Sequence, residues 1–312
     1  MENKNILITS GGVETALNII KALRLSNVFN CRIITSDMDP DSFGQYFSDQ
    51  NYLTSSASSK KFINEISEII TKEDIDFIFP CHSTEINFFS KNEVYFKERG
   101  AGMIVPSESV ESVCSNKKLF IDFLSKNNFP FPKTYKTFKE VKDYPVFIRP
   151  FSGSSSKGAS IINSTDEIPD SYLSIEANLI IQDFINATEI TVDAYRSNSG
   201  IYSISRIRKK VKDGKSVMAE VIFKKDIDVL VIDLLNKINF YGPCNIQLFY
   251  KNNDIKIIEL NPRMSAGGLP LSVRAGLNIP EIMLKDYFNY KLDVSLTNQN
   301  IKMIRFLDEK FF

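Results

Sequence analysis

The chain has 312 residues, of which 43% are hydrophobic and 24% charged, the balance of an ordinary globular protein. Lysine plus arginine and aspartate plus glutamate both number 38, so the net charge is zero, which argues against a general nucleic-acid or membrane-surface binder. No apolar run approaches the roughly 18 residues of a spanning helix, and the N-terminus lacks a signal-peptide pattern, so we expect a cytoplasmic chain. The four scattered cysteines and the single histidine, His82, argue against a disulfide framework and a His-rich metal site.

Short apolar runs alternate with amphipathic segments over the first third of the chain. The runs "NILITS", "CRIITSDMDP", "IDFIFPCHS" and "AGMIVPS" predict strands, and the segments between them predict helices. This alternation favours a parallel sheet flanked by helices, so we predict a small α/β domain over residues 1–106. Ligands of such sheets lie beyond the carboxyl ends of the strands, which fall here at residues 10–12, Asp37 and residues 80–85.

The turn after the first predicted strand contains Gly11 and Gly12, which raises the possibility of a dinucleotide site. The order S-G-G-V-E-T departs from the G-x-G-x-x-G fingerprint, although Asp37 follows the second strand where a ribose-binding acid would lie. A nicotinamide-dependent oxidoreductase therefore remains an alternative. Cys81 and His82 are sequential, but neighbours on a strand face opposite ways, which favours a buried thiol and a polar loop residue over a catalytic pair.

After Pro106 the pattern changes to short strands separated by glycine or asparagine turns, with a few helices among them. One helix is predicted over "SVCSNKKLFIDFLSKNN", and later helices over "KDIDVLVIDLLNKINF" and "PEIMLKDYF". Many hairpin-like strands with a few helices indicate an α+β domain with antiparallel sheets over residues 107–312.

Two loops of this second half carry possible nucleotide contacts. In "VFIRPFSGSSSKGASII" the glycines Gly153 and Gly158 allow close backbone approach to a ligand, although a surface hairpin explains the loop equally well. In "LIIQDFINATEITVDAY" a polar break between strands offers backbone groups to a purine edge, with Asp183 and Glu189 near a ribose. Two charged loop residues are the plainer alternative.

The hairpin "CNIQLFYKNNDIKIIELNPR" carries polar residues where a core strand would be apolar. Glu259 and Asn261 share a strand face, and pairing around the turn brings Gln247 close to Glu259. A carboxylate and two amides supply the oxygen ligands that Mg²⁺ prefers, and Arg263 beyond them is a fork-shaped phosphate partner. The alternative is a polar hairpin end, which explains each residue alone but not the set.

These blocks together resemble the ATP-grasp superfamily, in the branch similar to one synthetase unit of the carbamoyl phosphate synthetase large subunit. The resemblance covers nearly the whole chain and is carried by "IDFIFPCHSTEINFFSKN", "SNKKLFIDFLSKNNFPFPKTY", "FIRPFSGSSSKGASII", "IIQDFINATEITVDAY", "GPCNIQLF" and "IIELNPRMSAGGLPLSVRAGLNIP". It implies a Rossmann-like pre-ATP-grasp domain over 1–106. It also implies an ATP-grasp domain over 107–312, with a lid part at about 107–182 and a metal and nucleotide part at about 183–312.

The resemblance also implies roles for individual residues. Gln247, Glu259 and Asn261 would bind Mg²⁺ (Mn²⁺ is possible), while Arg263 and Arg149 would contact the transferred phosphate. The residues expected to contact ATP are Lys117, Arg149, the lid residues Ser154, Ser155, Ser156, Lys157 and Gly158, the adenine segment Gln182, Asp183, Phe184 and Ile185, and Glu189 near the ribose or metal.

Two positions depart from the pattern common in the superfamily. Arg149 stands where many members have lysine, and Gln247 stands where many have an acid. The second change removes one negative charge, which puts tight binding of two metal ions without nucleotide in doubt.

The implied activity is that of an ATP-dependent carboxylate–amine or carboxylate–thiol ligase. A carboxylate attacks the γ-phosphorus of ATP, and an amine or other nucleophile then attacks the acyl phosphate, so neither a catalytic histidine nor a covalent enzyme intermediate is required. The basic segment 205–220 is then interpreted as a second loop near phosphate or substrate carboxylate, or as a solvated turn. We expect small-molecule substrates, neither nucleic acid nor membrane as partner, and possible homodimers. A nucleotide-binding regulatory protein with little turnover is the main alternative.

Overall fold

The computed structural model describes residues 1–151, 158–212, 215–306 and 309–311. Within these ranges, every helix is too short or too polar to cross a lipid bilayer. The described residues form three sheets, one parallel and two antiparallel.

The first sheet is parallel throughout and has the strand order β3-β2-β1-β4-β5. Its strands and the helices between them run in alternation along the chain: β1 (Glu2–Thr9), α1 (Glu14–Leu23), β2 (Phe29–Asp37), β3 (Gln50–Leu53), α2 (Phe62–Glu73), β4 (Phe77–Phe79), α3 (Ser83–Lys97) and β5 (Gly102–Met103). The predicted α/β class of this part is confirmed. The short edge strand β3 was not predicted, because "QNYL" is only four residues long and half-polar.

Both faces of this sheet are buried, as the apolar strand sequences require. Leu7, Ile34 and Ile78 face α2 and α3, whereas Ile6 and Ile8 face α1 and helices from the end of the chain. The second face therefore belongs to one continuous hydrophobic cluster that joins the two halves of the protein. This shared core holds the strand ends of the first sheet against the later loops.

The middle of the chain forms a small four-stranded antiparallel sheet with the order β6-β9-β7-β8. Its elements are α4 (Glu108–Ser115), α5 (Lys117–Lys126), β6 (Thr134–Tyr135), β7 (Val146–Pro150), β8 (Ser160–Ile162), α6 (Asp170–Ser174) and β9 (Leu179–Asp183). The single helix predicted here is wrong, because Asn116 has an extended backbone. Its side chain instead caps α5 by accepting from the backbone N–H groups of Lys118 and Leu119.

The last sheet has six strands in the order β14-β13-β10-β11-β12-β15, all antiparallel. Its elements are β10 (Thr188–Arg196), β11 (Ile201–Lys212), β12 (Lys215–Ile222), α7 (Lys225–Lys237), β13 (Gly242–Lys251), β14 (Asp254–Asn261), α8 (Leu269–Arg274), α9 (Ile279–Tyr287) and β15 (Lys302–Ile304). The predicted antiparallel sheets are thereby confirmed. The two-residue turn between β13 and β14 places Asn252 and Asn253 at positive φ, as tight hairpins require.

The six-stranded sheet has two chemically different faces. Ile190, Val192, Ile246 and Leu248 cover one face and pack against α7 in a buried cluster. Asp193, Asn245 and Gln247 alternate with them and face the other way, which is the side on which the candidate site lies.

The turn after β1 is tightly covered by the segment that follows β2. A side chain at Gly44 would place its Cβ 2.4 Å from the carbonyl oxygen of Gly11 and 2.8 Å from its Cα. At Gly200, by contrast, the nearest atom to such a Cβ is the Tyr202 hydroxyl at 3.8 Å.

We therefore predict that Gly44→Ala lowers the free energy of unfolding by about 1–3 kcal/mol, since the backbone at Gly11 must move to accommodate the methyl group. Chemical denaturation measures the change, and Gly200→Ala is the matched control, expected to differ little from the original protein. Equal stability of the two variants would show that the turn is not tightly packed.

Candidate functional site

The β13–β14 hairpin places the predicted metal ligands side by side. Gln247 lies directly opposite Glu259, and Asn245 lies opposite Asn261. Residues opposite each other in an antiparallel pair share a face, so all four side chains project to the polar side of the sheet. We refer to Gln247, Glu259 and Asn261 as the polar strip.

A β-bulge in β14 is what puts Glu259 on this face. From the turn, pairing is regular up to Leu248 opposite Ile257, and the next pair is Gln247 with Glu259. Ile258 is the extra residue of the bulge. In a regular ladder Ile258 would oppose Gln247, and Glu259 would point toward the apolar face. The buried positions Ile257 and Leu260, three residues apart rather than two, record the same shift.

Hydrogen bonds orient the amides of the strip. Asn261 Nδ2 donates to Glu259 Oε1 at 2.8 Å and to Asn245 Oδ1 at 3.2 Å. Asn245 Nδ2 in turn donates to the carbonyl oxygen of Arg263 at 2.9 Å. These contacts engage the nitrogen of Asn261 and leave its Oδ1 as an acceptor beside the Glu259 carboxylate. Asn245, which the sequence interpretation did not assign a role, thus fixes the orientation of a predicted ligand.

The donor set is poor in negative charge. Within the described part of the chain, His, Cys, Asp and Glu side chains form no group of three or more that suits a metal ion. The strip itself offers one carboxylate and two amide oxygens, a set that fits a hard cation such as Mg²⁺ only when other oxygens complete its shell.

Arg149, on β7, reaches across to the strip. Its Nη1 lies 3.7 Å from Glu259 Oε2, and its Nη2 lies 3.5 Å from the carbonyl oxygen of the bulge residue Ile258. Burial lowers the pKa of this guanidinium, and the charge of Glu259 opposes that shift. Its Nε is buried with no hydrogen-bond partner among the described residues. A buried donor without a partner is costly, so an anion at this position would be stabilised.

Lys117 and Arg263 complete a group of three cations around one carboxylate. Burial lowers the pKa of Lys117, while Glu259 raises it and Arg149 lowers it further. Burial also lowers the pKa of Arg263, and Glu259 again opposes the shift. Three cations and one carboxylate leave net positive charge in a partly buried space, which suits a polyanion such as a triphosphate.

Three of the residues predicted to hold the adenine and ribose have side-chain partners within the protein. Gln182 is buried and donates to Thr134 Oγ1 at 3.0 Å, and Asp183 accepts a hydrogen bond from the Tyr135 hydroxyl at 2.7 Å. Glu189 forms an ion pair with Arg208. The side chain of Phe184 is exposed, and Ile185 follows it in the link between β9 and β10. That these residues hold the nucleoside stays a prediction.

The predicted phosphate loop is only partly described. Ser154, Ser155, Ser156 and Lys157 lie outside the described residues. Gly158, which follows them, is exposed and has φ +74°, a conformation that favours glycine.

The strand ends of the parallel sheet border the other side of Arg263. Cys81 is buried near Arg263, and burial raises the pKa of its thiol well above the ordinary value, so the group is an uncharged thiol. His82 caps the N-terminus of α3 instead of facing Cys81. The plainer interpretation of this pair, a buried thiol and a polar loop residue, agrees with this arrangement.

Asp37 accepts a hydrogen bond from the Gly12 backbone N–H at 2.6 Å and so holds the Gly11–Gly12 turn.

Family models match most of the chain in two pieces. Residues 6–104 match the model described as "PylC-like, N-terminal domain". Residues 176–306 match the model described as "ATP-grasp in the biosynthetic pathway with Ter operon".

Curated relatives and solved structures agree with these matches. The chain is 23% identical over 244 residues to formate-dependent phosphoribosylglycinamide formyltransferase of Prochlorococcus marinus, covering 69% of this chain and 60% of that protein. It is 25% identical over 326 residues to carbamoyl phosphate synthase large chain of Sulfurisphaera tokodaii, covering 92% and 30%. The chain thus spans less than two thirds of either relative.

The crystal structure of N5-carboxyaminoimidazole synthetase from Staphylococcus aureus complexed with ADP matches 98% of this chain and 83% of its own length. The TM-score is 0.77 at 15% identity, which shows a common fold. The parallel α/β unit, the two antiparallel sheets and the order of the two matches agree: a PylC-like N-terminal domain at residues 6–104 is followed by an ATP-grasp region at residues 176–306.

Proposed function

We propose that the protein is an ATP-dependent ligase that activates a carboxylate as an acyl phosphate for attack by an amine or another nucleophile. The observation that carries this proposal is the polar strip, in which a single carboxylate, Glu259, lies among Lys117, Arg149 and Arg263. The names of the relatives, a formate-dependent formyltransferase and a carbamoyl phosphate synthase, support the same reaction class.

ATP is assigned to the space between the small and large antiparallel sheets. Lys117 and Arg149 would neutralise its phosphates, and we propose residues 154–158 as further phosphate contacts. Residues 182–185 would hold the adenine, and Glu189 would exchange its ion pair with Arg208 for a contact to the ribose or metal.

The strip fits a magnesium ion that arrives with the nucleotide. Gln247, Glu259 and Asn261 would contribute their oxygens, and phosphate oxygens and water would supply the remaining ligands. When bound, the ion neutralises charge on the β- and γ-phosphates. Mn²⁺, which accepts the same ligands, is a suitable substitute.

The reaction then proceeds in two displacements. A substrate carboxylate oxygen attacks the γ-phosphorus, the bond to the β–γ bridging oxygen breaks, and ADP leaves. The nucleophile next attacks the acyl carbon and expels inorganic phosphate. Arg149 and Arg263 stabilise the transferring phosphoryl group by charge and position, because both are held by the protein before the substrate arrives.

The surroundings of the site suggest where the acceptor substrate lies. Arg263 is followed by the small residues 265–268, and the ends of β1 and β4 approach the same region. We propose that the carboxylate and the nucleophile, both small molecules, bind there.

We further propose a domain boundary between residues 106 and 107, which is supported by the sheet ranges. We also propose a reducing compartment such as the cytoplasm, which is supported by four buried free thiols.

Replacing the central carboxylate tests the proposal. Glu259→Gln keeps the shape of the side chain but removes its charge, so Mg²⁺-dependent ADP release in the presence of a stimulating carboxylate should fall at least about a hundredfold. A panel of carboxylates and amines identifies the stimulating pair. Asp254→Asn, at the exposed start of the same strand, is the control and should leave ADP release unchanged. Unchanged release in Glu259→Gln would refute the metal assignment.

Gln247 should set the affinity for metal without nucleotide. The variant Gln247→Glu adds a second carboxylate opposite Glu259, so the nucleotide-free protein should bind Mn²⁺ about tenfold more tightly. Electron paramagnetic resonance of free Mn²⁺ gives the affinity, and the exposed Gln299→Glu is the control. Equal gains in both variants would place the metal away from the strip.

Lys117 should make ATP binding sensitive to alkaline pH. Because burial lowers the pKa of Lys117, its positive charge is lost at a lower pH than that of an ordinary lysine, and ATP affinity should weaken as pH rises. Lys117→Arg keeps the charge and should move this loss to higher pH, whereas the exposed neighbour variant Lys118→Arg should not. Titrations with ATP across the alkaline range measure the effect. Superimposable curves for Lys117→Arg and the original protein would remove Lys117 from the phosphate site.

A further inference from the structure

A buried ion pair lies beside the polar strip on the same face of the sheet. Asp193 is the cross-strand neighbour of Asn245, and its side chain is 2% exposed. Arg206, on the next strand, is 3% exposed; its Nε donates to Asp193 Oδ2 at 2.9 Å and its Nη2 lies 3.4 Å from Asp193 Oδ1. Each charge is thus engaged by the other in a two-point contact.

The pair also joins three separate segments of the chain. Arg206 Nη1 donates to Ser216 Oγ at 3.1 Å, which connects β11 to the outer part of β12. The Ser272 hydroxyl of α8 donates to Asp193 Oδ2 at 2.6 Å. Gly268 lies directly against the guanidinium, since a Cβ there would be 2.2 Å from Arg206 Nη2 and 2.3 Å from its Cζ.

Gly268 ends the short loop that begins at Arg263, and we refer to residues 263–268 as the acceptor loop. Its middle is anchored from the first sheet's side, where Asn18 Nδ2 donates to the carbonyl oxygen of Ala266 at 2.7 Å. Its end rests on Arg206. The loop that carries the proposed phosphate-contacting arginine is therefore held from both halves of the protein: at Arg263 by Asn245, at Ala266 by Asn18 and at Gly268 by Arg206.

Stability alone does not explain such a pair. Burying two charges costs several kcal/mol in desolvation, and apolar side chains of similar size often serve stability as well or better. A planar guanidinium, unlike an apolar side chain, donates directional hydrogen bonds and so fixes several partners at defined angles. Here those partners are Asp193, Ser216 and the backbone at Gly268.

We propose that Arg206, paired with Asp193, is a positioning residue that sets the acceptor loop and the β11–β12 hairpin in the geometry needed for phosphoryl transfer. This inference rests on the proposed ligase activity and deepens it. Arg206 acts through Gly268 and Ser216 and does not itself contact substrate. Its loss therefore reduces the rate of the chemical step, while the binding of ATP, which uses Lys117, Arg149 and the polar strip, is preserved.

Removing one partner alone would leave an unpaired buried charge, so the informative variant replaces both. Asp193→Leu together with Arg206→Met keeps the volume and removes both charges, and this double variant should fold with a melting temperature near the original. Its kcat for Mg²⁺-dependent ADP release should fall about tenfold to a hundredfold, with the KM for ATP unchanged within about twofold. Arg196→Met is the control, because Arg196 donates to Phe240 and Asn239 at the far end of β10 and should leave kcat unchanged.

Gly268 supplies an independent test of the same contact. Gly268→Ala pushes a methyl group into the guanidinium and should lower kcat in the original protein, but it should have little additional effect in the double variant, where the guanidinium is absent. Additive effects of the two changes would overturn the proposal, as would a full kcat in the double variant. A fall in ATP affinity of the same size as the fall in kcat would also overturn it.

Hydrogen exchange separates failure of this inference from failure of the proposed function. Amides at residues 263–272 should exchange faster in the double variant than in the original protein and in Arg196→Met, with or without Mg²⁺ and ATP. If the original protein releases no ADP with any carboxylate, the ligase assignment fails while this measurement still tests the positioning role. Unchanged exchange in the double variant would refute that role whatever the activity.

Discussion

One extra residue in strand β14 determines which way the central carboxylate faces. Ile258 interrupts regular pairing, and beyond it Glu259 and Asn261 lie on the same face as Gln247 and not against the apolar core. The carbonyl oxygen of Ile258 also lies within reach of Arg149 Nη2. The bulge therefore both orients the Glu259 carboxylate and contacts the cation beside it. β-bulges recur next to active sites for this reason, since they redirect a side chain without changing the fold.

The charge balance around Glu259 explains how the site would work. Lys117, Arg149 and Arg263 are held partly out of water beside one negative group, and burial lowers the pKa of each. Such an arrangement is unfavourable when empty and becomes favourable when a polyanion enters. Because the residue opposite Glu259 is the neutral amide Gln247, Glu259 supplies the only negative charge of the polar strip. A metal ion would therefore enter as part of the nucleotide complex rather than bind beforehand.

Much of the fold follows from the sequence because hydrophobic periodicity is a local signal. The alternating apolar runs and amphipathic segments before residue 106 predict the parallel sheet, and Leu7 and Ile34 point to one face as the period requires. The break at Asn116 was missed, although asparagine is a favoured N-cap residue, because the two helices follow each other with only this residue between them. The strands β3 and β15 and the helix α8 are too short to carry a periodic signal, and α8 also contains a proline.

The candidate site was predictable in its residue types but not in its geometry. The spacing of Glu259, Asn261 and Arg263 indicates a polar strand end, yet regular pairing around the turn would have turned Glu259 away from Gln247. The only sequence trace of the bulge is the spacing of Ile257 and Leu260, which is three instead of two. Asn245 and the Asp193–Arg206 pair carry no signal until the register is known, because their partners are distant in the chain.

The most direct measurement is a crystal structure with Mg²⁺ and a non-hydrolysable ATP analogue. We predict a metal ion at about 2.1 Å from oxygens of the polar strip and of the analogue's phosphates, with Arg149 and Lys117 on the same phosphates. A triphosphate bound elsewhere, or a metal coordinated without Glu259, would contradict it.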